Sequence, residues 1–403
     1  MKKIIDISLA TACVAVMAVF TGCSKGDYYI DGPSRDAMPD AAEGIGGWDV
    51  PGEGGENGSP VYQSGVMTAA EWNDIANWTF WASLLNNQDW GKHAEYWKYY
   101  PHNFVMVETV DKDRNIVSGV DVSLVKGGTT VWKARTDNVG RALLWASMYE
   151  SEWNIDKSGY TVKVSGGDYQ DFEFTTPGST EVKVNRFVVN TTKVENSIDV
   201  AFIVDATGSM GDEIGFLKAD LEEIIKLVEQ QCTSKVRTGT VFYRDEGDDY
   251  VTKFSQFTTN LKDTRKFIEK QSAEGGGDWP EAVHKALSEG LQSLSWNANA
   301  KGRIAFMVLD APPHDDAQII SSCQKSIEAY AAQGIKIIPV ACSGIDKACE
   351  YLLRSFAMAT NGTYVFVTND SGVGEEHIEA TVGEYKVELL RDLIARLIIA
   401  YAK

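Results

Sequence analysis

The segment from Ser197 to Glu213 constrains the fold more than any other part of this 403-residue chain. Ile198 to Val204 is an almost wholly apolar run that ends at Asp205, which is typical of a central strand covered on both faces. Thr207 and Ser209 then supply hydroxyl groups, and apolar residues at helical spacing follow them. The pattern predicts a strand, an oxygen-rich loop and a helix, in that order.

The same alternation of strand and helix patterns continues from about residue 193 to Lys403. It predicts an α/β fold in which a doubly wound, mostly parallel sheet carries helices on both faces. The last helix is predicted from about Glu376 to Ala402, with one apolar face that packs on the sheet. Ligands of such sheets bind just outside the carboxyl ends of the strands, which is where Asp205 lies.

Residues 103–192 show a different pattern, with short runs of period two separated by turn residues. This predicts an all-β sandwich of antiparallel strands that folds separately from the α/β region. The runs Ser118–Leu124 and Thr136–Ala142 resemble the transthyretin-like, carboxypeptidase-regulatory-type modules of bacterial surface proteins. The resemblance implies a spacer or an accessory binding module and no active site.

Residues 61–102 are rich in tryptophan and are predicted to form a short helical segment. Thr68 and Glu71 have the spacing of a capping box at its start. The crowded rings are compatible with a sugar-binding platform, or with simple packing on the next domain. The tryptophans concerned are Trp72, Trp78, Trp81, Trp90 and Trp97.

The first 22 residues have the pattern of an export signal, with two early lysines and the apolar run from Leu9 to Phe20. The run is too short to span a membrane. The ending before Cys23 resembles a bacterial lipobox, which implies lipidation of Cys23; the alternative is an ordinary signal with a buried cysteine. Residues 23–60 are rich in Gly, Asp, Pro and Glu without an apolar period, and we predict a disordered tether.

Charge and motif content exclude several functions. The net charge of −19 and the absence of any Lys/Arg-rich run argue against nucleic acid as a partner. The glycines from Gly275 to Gly277 lack a following Gly-Lys-Ser/Thr, so no nucleotide site is predicted. The histidines are scattered and no Cys-x-x-Cys occurs, so we predict no zinc or redox site.

Cys342 and Cys349 are compatible with a disulfide or with free thiols.

Further acids follow other strand patterns. Asp310 comes directly after an apolar run, Asp245 ends another, and a glycine-rich loop carries Asp278 and Glu281. Adjacent parallel strands lie about 5 Å apart, so acids at their carboxyl ends can converge on one ion. Oxygen ligands of this kind favour Mg²⁺, with Ca²⁺ or Mn²⁺ as alternatives.

With these residues, the segment from about Val194 to Lys403 resembles a von Willebrand factor A domain that carries a metal-ion-dependent adhesion site. The family's Asp-x-Ser-x-Ser motif is matched by Asp205, Thr207 and Ser209, with Thr keeping the hydroxyl group. Asp310 matches the acid of the third loop. The resemblance implies that these residues bind a divalent metal.

The middle loop departs from the common family pattern, which supplies a threonine. It resembles instead the Asp-x-Pro-Glu loop of integrin beta subunits, which implies that Glu281 binds the central ion. By the same resemblance Asp278 and Asp245 belong to a second metal site. Asp212 and Glu213 match the acidic pair of an adjacent site.

Each of these assignments has a structural alternative. Asp212 and Glu213 also suit a helix N-terminus, and Asp278 also suits a helix cap. His314, Asp315 and Asp316 are interpreted as caps of the next helix.

The sequence as a whole predicts a lipid-anchored protein of the cell envelope, on the outer membrane of a Gram-negative bacterium. It predicts no enzyme: the expected partner is a protein ligand whose carboxylate completes the metal site. Two alternatives stay open. One is a structural subunit of an envelope complex with a non-essential metal site, and the less favoured one is a metal-dependent hydrolase using Asp310, His314 and Asp315.

Overall fold

The computed structural model describes residues 65–369 and 378–403. Cys23, the predicted signal and the predicted tether lie outside the described residues. The described strands are β1 (Thr68–Trp72), β2 (Phe104–Val110), β3 (Asp121–Lys126), β4 (Thr129–Arg135), β5 (Arg141–Trp145), β6 (Tyr160–Val164), β7 (Gly167–Tyr169), β8 (Val184–Val188), β9 (Glu195–Asp205), β10 (Lys235–Tyr243), β11 (Thr252–Thr258), β12 (Ala300–Leu309), β13 (Lys336–Ala341), β14 (Tyr364–Val367) and β15 (Val387–Leu389).

The described helices are α1 (Trp78–Leu85), α2 (Gln88–Trp97), α3 (Gly211–Gln231), α4 (Leu261–Glu269), α5 (Val283–Gln292), α6 (Ala317–Ala332), α7 (Lys347–Ala359) and α8 (Leu390–Ala402). No helix in the described part of the chain is both long enough and apolar enough to cross a membrane.

An eight-stranded sheet organises the α/β part, in the order β11-β10-β9-β12-β13-β14-β1-β15. Strand β9 pairs in parallel with β10 and β12, and β12, β13 and β14 continue the parallel run. The strands at both edges of the sheet are antiparallel to their neighbours. The prediction of an α/β fold with a mostly parallel sheet is confirmed for this part of the chain.

The two faces of β9 explain its continuous apolar sequence. Val200 and Phe202 belong to a core cluster that also includes apolar side chains of α3 and α8. Ala201 and Ile203 belong to the other core cluster, together with side chains of α5, α6 and α7. Because helices cover both faces, every residue from Ile198 to Asp205 is buried, and the strand delivers the Asp205 carboxylate to the carboxyl edge of the sheet.

The tryptophan-rich segment begins with a strand, so the predicted capping box at Thr68 and Glu71 is wrong. Strand β1 lies between β14 and β15. Its Ala69 and Ala70 are fully buried on opposite faces of the sheet, and small side chains suit that position. The five tryptophans are all buried, which agrees with the packing interpretation.

The end of the chain also differs from the prediction of one long helix. Helix α8 begins only at Leu390, because Val387–Leu389 forms strand β15 against β1. Residues 370–377 lie outside the described part. The apolar face of α8 does pack on the sheet, with Leu393 and Ile398 in the core.

Between these elements, β2 to β8 form two smaller sheets, of order β5-β2-β8 and β4-β3-β6-β7. Strands β2 and β8 pair in parallel, so the expected wholly antiparallel arrangement is wrong at this position. Buried residues of both sheets belong to the core cluster that continues into α6 and α7. Separate folding of residues 103–192 stays a prediction. The cysteines Cys232, Cys323, Cys342 and Cys349 are free thiols.

Candidate metal centre

Asp205 is fully buried at the end of β9. Its Oδ1 accepts hydrogen bonds from the backbone N–H of Thr207 at 2.9 Å and from the Thr207 hydroxyl at 2.7 Å. These bonds fix the loop that leads into the 3-10 turn Gly208–Met210 and helix α3. Asp205 Oδ2 is buried and has no hydrogen-bond partner of ordinary geometry; the buried Tyr243 hydroxyl, which is also unpaired, acts on this carboxylate and partly offsets the rise in its pKa caused by burial.

Asp310 follows β12, the neighbouring parallel strand. Val308 pairs with Val204, so Leu309 is level with Asp205. Asp310 lies one residue further along, at the same edge of the sheet. Asp310 is 4% exposed, and its Oδ1 has no hydrogen-bond partner. Burial raises the pKa of Asp310, and the nearby Ser209 hydroxyl partly offsets that rise.

Glu281 completes this group from the glycine-rich loop before α5. Its backbone N–H donates to the Pro312 carbonyl at 2.9 Å, which ties the loop to the segment after Asp310. Gly276 has φ +75°, and a Cβ there would lie 3.0 Å from Glu281 Oε1 and 3.3 Å from Thr207 Cβ. The loop therefore needs glycine at this position to bring the Glu281 side chain against Thr207.

The five residues predicted to bind the central ion thus meet at one edge of the sheet: Asp205, Thr207, Ser209, Glu281 and Asp310. Three buried carboxylate oxygens in this group have no hydrogen-bond partner, one from each acid. Buried polar atoms are ordinarily paired, and an unpaired carboxylate is costly. Cations with oxygen ligands satisfy such oxygens directly or through bound water, so the residue types present fit a hard cation.

The acids of this group repel one another. Burial and the neighbouring Asp310 raise the pKa of Asp205 to about 7. Burial, with Asp205, Asp245 and Asp310 nearby, raises the pKa of Glu281 to about 9. A bound cation would remove the repulsion and favour the ionised carboxylates.

We expect the ion-free protein to lose stability as the pH rises from about 5 to about 9. Carboxyl groups of an unfolded chain titrate near pH 4, so in this window the folded protein holds more protons than the unfolded chain, and stability falls with rising pH. Melting curves in EDTA across this range measure the effect. Glu281→Gln should flatten the decline, and an equally steep decline in that variant would contradict the assignment.

A second group lies beside the first. Single ligand atoms of Asp245, Asp278 and His314 all lie within 4.8 Å of one another. His314 Nε2 is 3.1 Å from Asp245 Oδ1, while Asp278 is exposed on the glycine-rich loop. The structure thus brings together the two acids assigned to a second site and adds a histidine that was assigned to helix capping.

Asp316 occupies the N-cap position predicted for it, whereas Asp278 and Asp315 have other surroundings. Helix α5 begins at Val283 after Ala282, so Asp278 does not cap it. Helix α6 begins after Asp316, whose side chain makes no cap hydrogen bond. Asp315 instead accepts a hydrogen bond from the Tyr96 hydroxyl at 2.8 Å. The side chains before α6 are therefore directed to other parts of the protein.

The acidic pair at the start of α3 is described in part. Glu213 is 5% exposed, and its Oε1 accepts a hydrogen bond from the Ser343 hydroxyl at 2.9 Å. The side chain of Asp212 lies outside the described part of the structure. Both roles of this pair stay predictions.

Two positioning residues were missed by the sequence reasoning. Asp248 Oδ2 accepts from the backbone N–H groups of Asp245 at 3.1 Å and Gly276 at 3.0 Å, and so joins the two loops that carry the acids. The buried Arg244 donates to the carbonyls of Ala206 and Ser272. The turn Asp245-Glu246-Gly247-Asp248 was the available sequence signal for the first of them.

The family model of the von Willebrand factor A domain matches residues 199–373. An ariadne-like RING finger protein, R811, of Acanthamoeba polyphaga mimivirus is 34% identical over 118 residues, which are 29% of this chain and 11% of that protein. The alpha-protein kinase vwkA of Dictyostelium discoideum is 30% identical over 127 residues, which are 30% of this chain and 20% of that protein. The chain thus spans a fifth or less of these relatives.

Solved structures give more distant similarities. A von Willebrand factor type A protein from Catenulispora acidiphila is 12% identical, with a TM-score of 0.35, over 75% of this chain and 50% of that one. The pilus adhesin SpaC from Lactobacillus rhamnosus GG is 9% identical, with a TM-score of 0.35, over 53% of this chain and 31% of that one.

Proposed function

We propose that this protein, whose residues 199–373 match the von Willebrand factor A domain model, binds a protein ligand through a divalent cation. The cation would be held by Asp205, Thr207, Ser209, Glu281 and Asp310. The observation that carries the proposal is that each of the three acids buries a carboxylate oxygen without a hydrogen-bond partner. A cation with an open coordination position binds a carboxylate of a partner protein.

Mg²⁺ is the proposed ion because all five side chains offer oxygen, with Ca²⁺ and Mn²⁺ as alternatives. Three ionised acids around one dication leave a net charge of about −1, which weakens the attraction for an acidic ligand. A second cation nearby, or water between one acid and the ion, would relieve this. Trp279 lies next to Asp278 in the loop and is 46% exposed, so it offers an aromatic contact for the bound ligand.

Partner capture tests the proposal. Immobilised protein should retain a ligand from host or envelope extracts in Mg²⁺ and release it in EDTA. Asp205→Asn should abolish retention because it removes a ligand charge while keeping an oxygen that can accept from Thr207. The matched control is Asp315→Asn, which makes the same change in an acid bound to Tyr96 and should retain the ligand.

Capture that is insensitive to EDTA and equal in both variants would contradict the adhesion proposal. It would favour the structural-subunit alternative, in which the metal site is not essential. The hydrolase alternative is less favoured, since His314 pairs with Asp245 and not with Asp315. For this reason we propose a binding function and no catalytic one.

We further propose that the protein is exported and attached to the membrane of the cell envelope through lipid on Cys23. The support is the basic start, the apolar run and the Gly22-Cys23 junction. Mass spectrometry of the mature N-terminal peptide should find a lipidated Cys23 as the first residue. Cleavage at another position with an unmodified Cys23 would contradict the anchor.

A further inference from the structure

We propose that Asp245, Asp278 and His314 form a second cation site, selective for a metal of the Zn²⁺ or Co²⁺ class. This site is distinct from the oxygen-only site at Asp205, and its binding does not require a protein partner. The resemblance to the integrin loop assigns Asp245 and Asp278 to a second site but includes no histidine. The nitrogen ligand is what the structure adds.

The ligand atoms have the spacing of a metal site. In the described part of the chain, these three residues form a group in which one ligand atom from each lies within 4.8 Å of the other two. His314 Nε2 and Asp245 Oδ1 are 3.1 Å apart, a distance that two ligands of one ion readily adopt. The three residues come from three separate loops at the carboxyl edge of the sheet, after β10, before α5 and before α6.

The neighbouring acid Glu281, assigned to the first site, adds negative charge beside this group. Glu281 is 3% exposed, and its Oε2 makes no hydrogen bond. The acids whose charge acts on Glu281 include Asp205 of the first group and Asp245 of the second. Glu281 is not among the side chains whose ligand atoms all lie within 4.8 Å of one another, so the proposed fourth ligand of the second cation is water.

The charge of the region also favours a second cation. The two groups contain five carboxylates, counting Glu281 once, so one dication leaves a formal charge of about −3 and a second reduces it to about −1. Nearby cations offset this charge only weakly. Lys285 reaches Glu246 at 3.2 Å, and Arg244 is engaged by backbone carbonyls and Glu274. A dication between Asp245 and Asp278 compensates the acids directly.

The histidine decides which ions the site selects. Mg²⁺ and Ca²⁺ prefer oxygen ligands, whereas an imidazole nitrogen suits Zn²⁺, Co²⁺ and related ions. Two Asp oxygens and one His nitrogen leave room for water as a fourth ligand, which matches the tetrahedral preference of Zn²⁺. The exposure of Asp278 leaves the site open to solvent for metal entry.

Metal titration of the full chain without a histidine tag tests the site. The probes are Zn²⁺, and Co²⁺ for its visible spectrum, added in saturating Mg²⁺ so that the oxygen-only site is filled. The parent should bind one Zn²⁺ per chain, and His314→Gln should weaken binding by about 100-fold. Loss of a residue that only orients a metal ligand lowers metal affinity by about 10- to 100-fold, and loss of the ligand itself should lower it at least as much. Asp278→Asn, a change at an exposed residue, should weaken it without affecting folding.

The matched control is His93→Gln. His93 also has acids near it, Asp89, Asp346 and Glu350, but it belongs to no three-ligand group in the described residues. That variant should bind Zn²⁺ like the parent. Equal Zn²⁺ affinity in the parent and His314→Gln would overturn the proposal and leave His314 and Asp245 as an ion pair only.

Asp205→Asn separates this inference from the proposed function. It should lose the response to Mg²⁺ but keep Zn²⁺ binding that depends on His314. Zn²⁺ binding that is abolished by Asp205→Asn and unchanged by His314→Gln would place the ion at the first site and overturn the second. Failure of Mg²⁺ binding in the parent, with Zn²⁺ binding still dependent on His314, would contradict the first site alone.

Discussion

Replacing Arg354 by methionine should lower the free energy of unfolding by about 3–5 kcal/mol, because it leaves the buried Asp74 carboxylate without its cation and leaves Glu350 with Lys347 alone. Arg354 is fully buried in α7 and makes two hydrogen bonds to Asp74, at 2.6 and 2.9 Å. Its Nη1 is 3.2 Å from Glu350 Oε1. The guanidinium also lies over the rings of Trp81 and Trp90, at 4.9 and 5.1 Å from their centroids.

Urea unfolding of Arg354→Met measures this loss. The matched control is Arg396→Met, which removes an arginine of α8 that pairs with Glu71 and Glu388 but whose side chain is 46% exposed. Exposed pairs contribute about 0–1 kcal/mol, so the control should change little. Equal losses in the two variants would contradict the account of Arg354. Arg354→Lys should fall between them, since a lysine keeps the charge but not the paired geometry.

The Arg354 contacts attach the tryptophan-rich segment to the α/β core. Two further bonds do the same: Trp97 Nε1 donates to the Ala348 carbonyl at 2.7 Å, and the Tyr351 hydroxyl donates to the Tyr99 carbonyl at 2.8 Å. These partners are about 250 residues apart in the chain. Hydrophobic periodicity describes neighbours along one element, so it could not predict such pairs.

Periodicity did predict the α/β alternation and the apolar run that becomes β9. It missed β1 because Thr68 to Trp72 is short and contains two alanines, which favour helix by local propensity. The position of β1 between β14 and β15 is decided by tertiary pairing. The same applies to the segment before α8, where pairing with β1 produces a strand in place of a helix.

The same difference between local patterns and long-range contacts decides which residues of the candidate site could be predicted. Asp205 and Asp310 could be placed from the sequence because each directly follows a buried parallel strand, and such strands end at one edge. Asp248 and His314 could not, because they lie in loops whose path depends on contacts with other loops. His314 approaches Asp245, which lies 69 residues earlier in the chain. No local pattern predicts that approach.

Asp205→Asn should abolish the stabilisation of the fold by Mg²⁺. In the parent, Mg²⁺ at 100 times its dissociation constant should add about 2.7 kcal/mol to the free energy of unfolding by mass action. The variant removes one of three mutually repelling acids, so its ion-free form should be at least as stable as the parent at neutral pH. Thermal and urea unfolding with Mg²⁺ or EDTA measure both effects.

Asp315→Asn again serves as the matched control and should keep the full response to Mg²⁺. Its carboxylate is bound by the Tyr96 hydroxyl and is not among the ligands proposed here. A response that is lost in both variants would indicate a general effect of charge. A response kept in both would mean that Asp205 does not bind the ion.

Counting bound Mg²⁺ tests the metal centre most directly. Equilibrium dialysis of the full chain at neutral pH should give one tightly bound Mg²⁺ per chain in the parent and in His314→Gln, and none in Asp205→Asn. This result is expected because the oxygen ligands at Asp205, Glu281 and Asp310 are independent of the histidine. Absence of tightly bound Mg²⁺ in the parent, or the same Mg²⁺ content in Asp205→Asn, would contradict the proposed metal centre.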